Sequence, residues 1–354
     1  MKKSIVILGA GLSGLLTAVR LKEQGHDVTV LESRSRIGGR IHTAKSATGT
    51  PVEMGATWFG KKHVHLMALL SELDIGYYEQ HTEGQAYFEP FSLAPPQKID
   101  IPEQLPSYRI KGGSERVTLS LAALLDDREI YLNTVVEELD FSADGVHIKS
   151  RENQWMADAV ISTIPPALLF RSVDIKQNIN AELKNIGMQT HTWMQDSIKT
   201  ALVYEYPFWR DKNGSGTLFS NVGPMTECYD HCDHKLEKFA LCGFVNGGYA
   251  AISAEERKVK VLSQLEKMYG DSIHKFSDYI ECIWAQDPNT KHPSMPDIFP
   301  HQNNGHAIYQ EACFANRFFI SGAETAPHFP GYMDGAVESA ELVTQKYSAA
   351  FPTG

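Results

Sequence analysis

The segment Ser4-Ile5-Val6-Ile7-Leu8-Gly9-Ala10-Gly11-Leu12-Ser13-Gly14 decides the fold of this chain. Its first five residues predict a buried strand, and its three glycines predict a sharp turn that opens a helix. The first glycine permits the turn, the second lets backbone approach a phosphate, and the third lets the helix pack close to the sheet. The start of a helix also offers free N–H groups to an anion. We therefore predict that a dinucleotide binds to Gly9, Gly11, Leu12, Ser13 and Gly14.

A second predicted strand and an acidic residue follow this turn in the expected order. The segment Asp27-Val28-Thr29-Val30-Leu31 ends at Glu32, eighteen residues after Gly14. A carboxylate at this spacing is expected to meet the ribose hydroxyls of an adenosine. We predict that Glu32 contacts the cofactor, together with Ser33 and Arg34 directly after it.

The choice between a nicotinamide and a flavin dinucleotide depends on the residues that come next. Arg36-Ile37-Gly38-Gly39-Arg40 adds a second glycine pair and two cations, which a simple nicotinamide fold does not need. Glu53-Met54-Gly55-Ala56-Thr57-Trp58 adds a turn of small residues suited to a flat ring system. Both features favour FAD. The candidate contacts in these turns are Gly39, Arg40, Gly55, Ala56, Thr57 and Trp58.

The far end of the chain carries a matching pair of features. Residues 318–325 predict a strand and turn, and Gly331-Tyr332-Met333-Asp334-Gly335-Ala336 opens the last helix. A protein that holds one long cofactor with both chain ends must fold those ends into one Rossmann-like α/β domain. The candidate contacts here are Gly322, Glu324, Tyr332, Met333 and Ala336.

These motifs together resemble the flavin-dependent amine oxidases, the family of monoamine oxidases, polyamine oxidases and flavin histone demethylases. The similarity spans nearly the whole chain and is specifically like monoamine oxidases near the last helix. It includes Lys111-Gly112-Gly113-Ser114, residues 159–166 and residues 197–210. It also includes Asn133-Thr134-Val135-Val136, in which the Val136 backbone is expected to meet the adenine.

The resemblance implies the fold class and the domain organisation. It implies an FAD-binding domain of the amine oxidase/glutathione reductase type (α/β) with an interleaved mixed-sheet substrate domain (α+β). We assign residues 1–76, 110–165 and 315–354 to the FAD-binding domain, and residues 77–109 and 166–314 to the substrate domain. Within the latter, Ser253 and Glu256 have the spacing of a capping box. The helix that follows, to Tyr269, is predicted to face inward with Val259, Leu262 and Leu265.

Three site residues take their roles from the resemblance. In the family, the residue matching Lys199 is a lysine that holds a water against the flavin N5 atom. An aromatic residue at the position of Tyr332 flanks the substrate nitrogen, and a tryptophan at Trp284 packs near the flavin. The residues alone leave rival readings open: Lys199 as a solvated lysine, and Tyr332 and Trp284 as ordinary packing.

The chain also departs from the family pattern. Monoamine oxidases attach FAD to a cysteine shortly after the tryptophan, but residues 286–295 contain none, so we expect non-covalent FAD. The second aromatic residue of the substrate cage is missing from this segment too. The helical insertion between Trp58 and Lys111 is short, and residues 89–106 are proline-rich and not expected to be helical. The site is therefore expected to be open, or roofed by a loop or a partner subunit, which leaves a homodimer open.

Composition excludes several other classes of protein. The net charge of −10 argues against a nucleic-acid partner. No apolar run is long enough to cross a membrane, and we expect the anchoring tail of some family members to be absent. Five dispersed cysteines suit a reducing cytoplasm. The segment Cys228–His234 crowds its ligand types together, so no metal site is expected.

The resemblance implies an FAD-dependent oxidoreductase. It implies hydride transfer from an amine substrate to flavin N5, giving an imine and then an aldehyde or ketone, with O2 as electron acceptor and H2O2 as product. Alternatives within the superfamily are an L-amino-acid oxidase, a desaturase and a porphyrinogen-type oxidase. A partner-dependent FAD-binding protein without amine oxidase activity is a further alternative. The sequence leaves the individual amine open.

Overall fold

A computed structural model describes residues 2–102, 105–211, 213–296 and 298–352. The strands are β1 Ser4–Leu8, β2 Asp27–Leu31, β3 Thr43–Lys45, β4 Pro51–Glu53, β5 Phe59–Gly60, β6 Tyr77–Glu79, β7 Gln85–Glu89, β8 Gln97–Asp100, β9 Ser107–Ile110, β10 Ile130–Tyr131 and β11 Val136–Phe141. They continue with β12 Val146–Ser150, β13 Gln154–Ala157, β14 Ala159–Ser162, β15 Asp174–Ile175, β16 Ser197–Tyr204, β17 Gly214–Ser220, β18 Met225–Asp230, β19 Phe239–Asn246, β20 Asp278–Ile283 and β21 Phe318–Ile320. The α-helices are α1 Leu12–Glu23, α2 Val64–Glu72, α3 Glu115–Ala122, α4 Pro166–Ser172, α5 Ala181–Met188, α6 Ala254–Tyr269 and α7 Met333–Ala350.

The two chain ends meet in one parallel sheet. Its strand order is β10-β2-β1-β14-β21, and each neighbouring pair is parallel. The first and last strands of the sequence therefore lie on the two sides of β14. This arrangement confirms the predicted Rossmann-like architecture, in which connections between parallel strands cross over through helices and loops.

Helices α1 and α7 pack together on this sheet. The inner face of α1, which includes Leu15 and Ala18, is fully buried. The inner stripe of α7 is also buried, with Val337 and Ala340 in the same hydrophobic cluster. The N-terminal helix is thus covered by the C-terminal one, so the chain ends are joined by a shared core and not only by strand pairing.

A second, mixed sheet is built from the middle of the chain. Its order is β20-β16-β19-β18-β17-β7-β8, with β17 and β7 parallel and the other neighbours antiparallel. A separate core on one face includes Leu202, Leu218, Leu241 and Leu265. A smaller mixed sheet has the order β13-β12-β11-β15. The two-stranded sheet β3-β4 and the three-stranded sheet β5-β9-β6 complete the strands. The described part of residues 89–106 contains no helix, as predicted.

Helix α6 begins at the predicted capping box. The Ser253 side chain accepts from the backbone N–H of Glu256, and the Glu256 side chain accepts from that of Ser253. The prediction that Val259 faces inward was wrong, because this side chain is 57% exposed. Val261 and Leu265 are fully buried. Apolar residues occur at both 259 and 261, and the position that shares a stripe with Leu265 is the buried one.

Within the described residues, the helices include none long and apolar enough to cross a membrane.

Candidate active site

A long cleft opens at the carboxyl ends of the parallel strands. Its empty volume is about 1150 Å³, part of it open to solvent. Ligands of open α/β sheets bind at this edge. The predicted cofactor residues that line the cleft are Gly9, Gly11, Leu12, Ser13, Glu32, Ser33, Arg34, Gly39, Arg40, Ala56, Val136, Gly322, Tyr332, Met333 and Ala336. Gly14, Gly55, Thr57, Trp58, Trp284, Glu324 and Lys199 lie outside its lining.

The glycine-rich turn has the close approaches that its spacing predicts. Gly9 has a φ of 102°, in the region that favours glycine. A Cβ atom on Gly14 would lie 1.9 Å from the carbonyl oxygen of Gly9, so only glycine fits where the helix meets the strand. Gly11 faces Gly39 across the cleft floor, where an added Cβ would lie 4.0 Å from the Gly39 Cα. The two glycine turns therefore form one continuous backbone surface.

The carboxylate of Glu32 is held rigidly at the cleft. It accepts from the backbone N–H of Ala10 at 2.7 Å and from that of Arg34 at 2.8 Å, and the Ser33 hydroxyl lies 3.2 Å away. Glu32 is 3% exposed. These contacts fix the carboxylate between the glycine turn and the loop after β2, where it can accept hydrogen bonds from a ribose.

Arg40 lines the cleft, and Glu324, which lies outside the lining, fixes the orientation of the Arg40 side chain. Both Arg40 Nη atoms donate to the two Glu324 carboxylate oxygens, the second pair at 2.8 Å. Arg40 also donates to the Trp193 carbonyl oxygen at 3.2 Å. A bidentate pair of this kind fixes the guanidinium plane. The predicted contact Glu324 thus acts through Arg40 and joins the two ends of the chain.

Lys199 is fully buried beneath the turn that follows β4. Its ammonium donates to the Gly55 carbonyl oxygen at 2.6 Å and to the Thr57 hydroxyl. It lies 4.8 Å from the Trp58 ring centroid and 5.3 Å from that of Phe244. Burial lowers the pKa of Lys199 below its ordinary value. The solvated-lysine reading is thereby excluded.

Three consecutive carbonyl oxygens, those of Glu53, Met54 and Gly55, each accept from the mixed sheet or from the residue directly after β20. The Glu53 carbonyl accepts from Cys242 Sγ at 3.4 Å, and the Gly55 carbonyl accepts from Lys199. Between them, the Met54 carbonyl accepts from Trp284 Nε1 at 2.6 Å. These three hydrogen bonds hold the turn in place, and Ala56 faces the cleft. Trp284 therefore supports the turn from a fully buried position and does not line the cleft.

Tyr332 stands at the start of α7 with an aromatic neighbour that the sequence did not reveal. Its ring centroid lies 5.7 Å from that of Trp193, with an interplanar angle of 30°. His63 lies 5.5 Å away on another side. Tyr332 is 37% exposed, so its ring is accessible from the cleft. Trp193 comes from the loop before β16 and reaches this place only through the tertiary fold.

Gly335 allows close packing at the start of α7. A Cβ atom there would lie 2.4 Å from the Phe329 carbonyl oxygen. The glycine permits the loop before α7 to pack against the first turn of the helix. Met333 and Ala336 line the cleft beside it, so the helix N-terminus still faces the cavity.

Several further cleft residues have no local signature in the sequence. They belong to the ends of β14 and α4 and to the loop after Trp284: Thr163, Ile164, Pro165, Leu168, Ser172, Val173, Pro288 and Asn289. A contact between two loops positions the last two of them. Arg34 donates to Asp287 at 2.9 Å and to Thr290 at 3.1 Å, which ties that loop to the loop after β2.

The cleft fits an FAD molecule. Its lining combines backbone turns at Gly9 and Gly38, where an added Cβ would clash, with an oriented carboxylate at Glu32 and a helix N-terminus beside an aromatic residue. These are the groups expected for pyrophosphate, ribose and ring system respectively. In the described part of the chain, the His, Cys, Asp and Glu side chains form no group of three that could hold a metal ion.

The chain belongs to the family of flavin-containing amine oxidoreductases. The model of that family matches residues 12–106 and 92–346. Amine oxidase (flavin-containing) B of Homo sapiens is 23% identical over 461 residues, covering 98% of this chain and 86% of that protein. Putrescine oxidase of Kocuria rosea is 23% identical over 406 residues, covering 82% of this chain and 84% of that protein. This protein is accordingly an FAD-dependent oxidoreductase.

Solved structures share the fold. Putrescine oxidase bound to putrescine superposes with a TM-score of 0.84 at 20% identity, covering 99% of each chain. Cyclohexylamine oxidase from Brevibacterium oxydans gives a TM-score of 0.85 at 17% identity, also covering 99% of each chain. Both confirm the predicted combination of a parallel-sheet domain with an interleaved mixed sheet.

Proposed function

We propose that this protein oxidises an amine to an imine, which hydrolyses to an aldehyde or ketone, with O2 as the electron acceptor. The observation that carries this proposal is the buried ammonium of Lys199 beneath Gly55 and Thr57. It lies directly behind Ala56, which lines the cleft. FAD supplies the hydride acceptor at its N5 atom and the reaction with O2 that gives H2O2.

The protein's own groups suit this chemistry. Burial around Lys199 excludes bulk solvent from one side of the site. The aromatic faces of Tyr332 and Trp193 favour a substrate nitrogen that carries positive charge. The N-terminus of α7 faces the cleft and stabilises negative charge there by about 0.3–1 kcal/mol. The known ligand of one structural neighbour, putrescine, is also an amine.

We further propose that FAD is bound non-covalently. No cysteine is among the described residues that line the cleft, which supports this proposal. Acid denaturation should then release FAD into the supernatant, whereas flavin retained on the polypeptide would contradict it.

We likewise propose the division into an FAD-binding domain and a substrate domain. The parallel sheet and the large mixed sheet have no strand in common, which supports this division. Helix α4 lies at the boundary, because Leu169 packs with Val6 and Leu8 of β1. A cytoplasmic location is proposed from the five free thiols.

The contacts of the arginines favour amines over amino acids as substrates. The two arginines in the cleft lining, Arg34 and Arg40, are already paired with Asp287 and Glu324. An L-amino-acid oxidase needs a cation aimed at the substrate carboxylate. Arg109 donates to the Cys232 carbonyl oxygen at 3.1 Å, and Arg210 pairs with Asp230 at 2.8 Å. Neither residue, nor Arg171, is among the residues lining the cleft.

Oxygen consumption and H2O2 production with a panel of primary, secondary and polyamines, alongside L-amino acids, test this function. We expect at least one amine to support turnover and the L-amino acids to fail. Turnover with L-amino acids alone would replace the proposal with the amino-acid oxidase alternative. Bound FAD with no turnover on any compound would favour a partner-dependent flavoprotein.

A further inference from the structure

A chain of four buried hydroxyl groups runs from the cleft into the core. The Ser13 Oγ atom lies 3.1 Å from that of Ser321, which lies 2.7 Å from that of Ser339. The Thr325 hydroxyl lies 2.9 Å beyond Ser339. All four side chains are at most 5% exposed, and Ser13 alone among the four lines the cleft. The chain therefore connects the cofactor site with three residues that lie behind its lining.

This chain joins elements from opposite ends of the sequence. Ser13 lies in the first turn of α1, Ser321 directly follows β21, and Ser339 lies on α7. Ser13 and Ser321 are 308 positions apart. Ser339 also accepts from the backbone N–H of Gly322 at 2.9 Å, and Gly322 lines the cleft. Ser339 thus holds one turn of the cleft directly and reaches a second one through Ser321.

The chain has a direction, because each hydroxyl has one proton to donate. The Thr325 hydroxyl donates to the Gly322 carbonyl oxygen at 3.0 Å. Ser339 then donates to Thr325. Ser321 in turn donates to Ser339, and Ser13 donates to Ser321. In this direction the proton of Ser13 points away from the cleft.

The opposite direction satisfies the same groups and turns the Ser13 proton toward the cleft. Thr325 then donates to Ser339, and the two serines behind Ser13 donate in sequence toward it. The Gly322 carbonyl oxygen still accepts from the backbone N–H of Thr325 at 3.0 Å. Reversal therefore leaves no buried acceptor without a donor.

The reversed chain suits an anionic ligand at the start of α1. Phosphate oxygens are acceptors and bind at helix N-termini, where N–H and O–H donors converge. Hydrogen bonds in a chain polarise one another, so a hydroxyl that accepts from a neighbour donates more strongly. Ser13 with the chain behind it is accordingly a better donor to a phosphate than Ser13 alone.

We infer that Ser321 and Ser339 are positioning residues for the pyrophosphate of FAD, and that they act by turning the Ser13 hydroxyl into the cleft. No covalent bond changes; the four hydroxyl protons change only their direction. The inference goes beyond the oxidation of amines and does not depend on which substrate the protein oxidises.

A double-mutant cycle between Ser13 and Ser339 tests this coupling. Serial dilution of the purified holoprotein, with the fluorescence of released FAD recorded, gives the Kd for FAD. Ser13→Ala and Ser339→Ala should each raise this Kd on the order of tenfold. The double variant should lie within about twofold of Ser13→Ala alone, because Ser339 acts through Ser13.

The matched control is a second buried hydroxyl on α7. Thr344 is 3% exposed, and its hydroxyl donates to the Ala340 carbonyl oxygen of the same helix at 2.8 Å. Thr344→Val removes this hydroxyl and keeps the shape of the side chain, so it should leave the Kd for FAD unchanged.

A wild-type Kd in either single variant overturns the inference. Additive losses in the double variant also overturn it, since Ser339 would then only stabilise the fold. If Ser339→Ala does not load FAD, Ser321→Ala takes its place in the cycle, because it breaks the chain but leaves the Gly322 N–H its acceptor. The same non-additivity with Ser13→Ala is expected there, and additive losses or a wild-type Kd overturn the inference.

Discussion

The ammonium of Lys199 donates a hydrogen bond to the carbonyl oxygen of Gly55 at 2.6 Å, so a strand of the mixed sheet holds a turn that lines the parallel-sheet cleft. The two residues are 144 positions apart. This contact couples the substrate face of the protein to its proposed flavin face. Two separable roles follow for Lys199: it supports the turn, and we propose that it places an ammonium next to the site of hydride transfer.

Replacing Lys199 with methionine should separate these two roles. Lys199→Met keeps most of the side-chain volume but leaves the Gly55 carbonyl without its donor, which costs about 1–3 kcal/mol of unfolding free energy. Loss of a placed polar group at the reacting atoms should slow flavin reduction or reoxidation on the order of 10²-fold. Stopped-flow absorbance measures both half-reactions, and bound FAD should be retained.

Lys260→Met is the matched control, because Lys260 is exposed on α6. It should turn over like the wild-type protein. If the flavin of Lys199→Met is reduced and reoxidised at the rates of the wild-type protein, Lys199 takes no part in the mechanism and only supports the turn.

The glycine turn offers a sharp test of the cofactor site. Gly14→Ala places a methyl group 1.9 Å from the Gly9 carbonyl oxygen, so α1 must move away from β1. Overpacking of this kind costs about 1–3 kcal/mol or more, and the displaced turn should bind FAD weakly. The ratio of flavin to protein absorbance measures the loss. Gly60→Ala is the control, since the nearest atom to its new Cβ would be 3.9 Å away. Full FAD loading of Gly14→Ala would show that the turn does not hold the cofactor.

The Arg40–Glu324 pair should matter for stability as well as for cofactor binding. Glu324 is 1% exposed, and Glu324→Gln leaves the Arg40 guanidinium with a weaker acceptor. We expect a loss of about 1–3 kcal/mol in the free energy of unfolding, with weaker FAD binding. Urea unfolding and FAD titration of the apoprotein measure the two effects. Glu137→Gln breaks the exposed pair with Arg151 and should cost under about 1 kcal/mol. Equal costs for both variants would contradict the proposed role of Glu324.

The sequence predicted the parts of the site that are local. The turn from Gly9 to Gly14 and the carboxylate of Glu32 follow from short-range geometry, because a strand, a turn and a helix fix their positions together. Trp193 is different: it lies 139 residues before Tyr332 and reaches it only through the packing of two domains. The sequence also could not predict whether Lys199 is buried. Both faces of β16 are covered, so the alternation of apolar and polar residues carries no signal there.

The loop before Tyr332 contains a contact that depends on pH. His328 Nδ1 lies 2.6 Å from Glu338 Oε1, and the His328 backbone N–H donates to Oε2 at 2.9 Å. The hydrogen bond to Glu338 raises the pKa of His328 above its ordinary value. The stabilisation is therefore fully present below about pH 6.5 and is lost as the pH rises through the higher folded-state pKa. His65 lies 3.8 Å from the same carboxylate, and Asp334 also favours the protonated form.

Melting temperature as a function of pH tests this contact. His328→Gln should reduce the fall in melting temperature above about pH 6.5, whereas His147→Gln, at an exposed strand position, should keep it. A pH profile of His328→Gln that overlays the wild-type profile would exclude the contact as its source.

The most direct test of the whole account is anaerobic mixing of the purified protein with a saturating amine while the visible absorbance of its bound flavin is recorded. We predict that the flavin band bleaches fully with at least one amine and returns when O2 is admitted. A band that persists with every amine tested, or that bleaches only with an L-amino acid, would contradict the assignment of amine oxidation to this site.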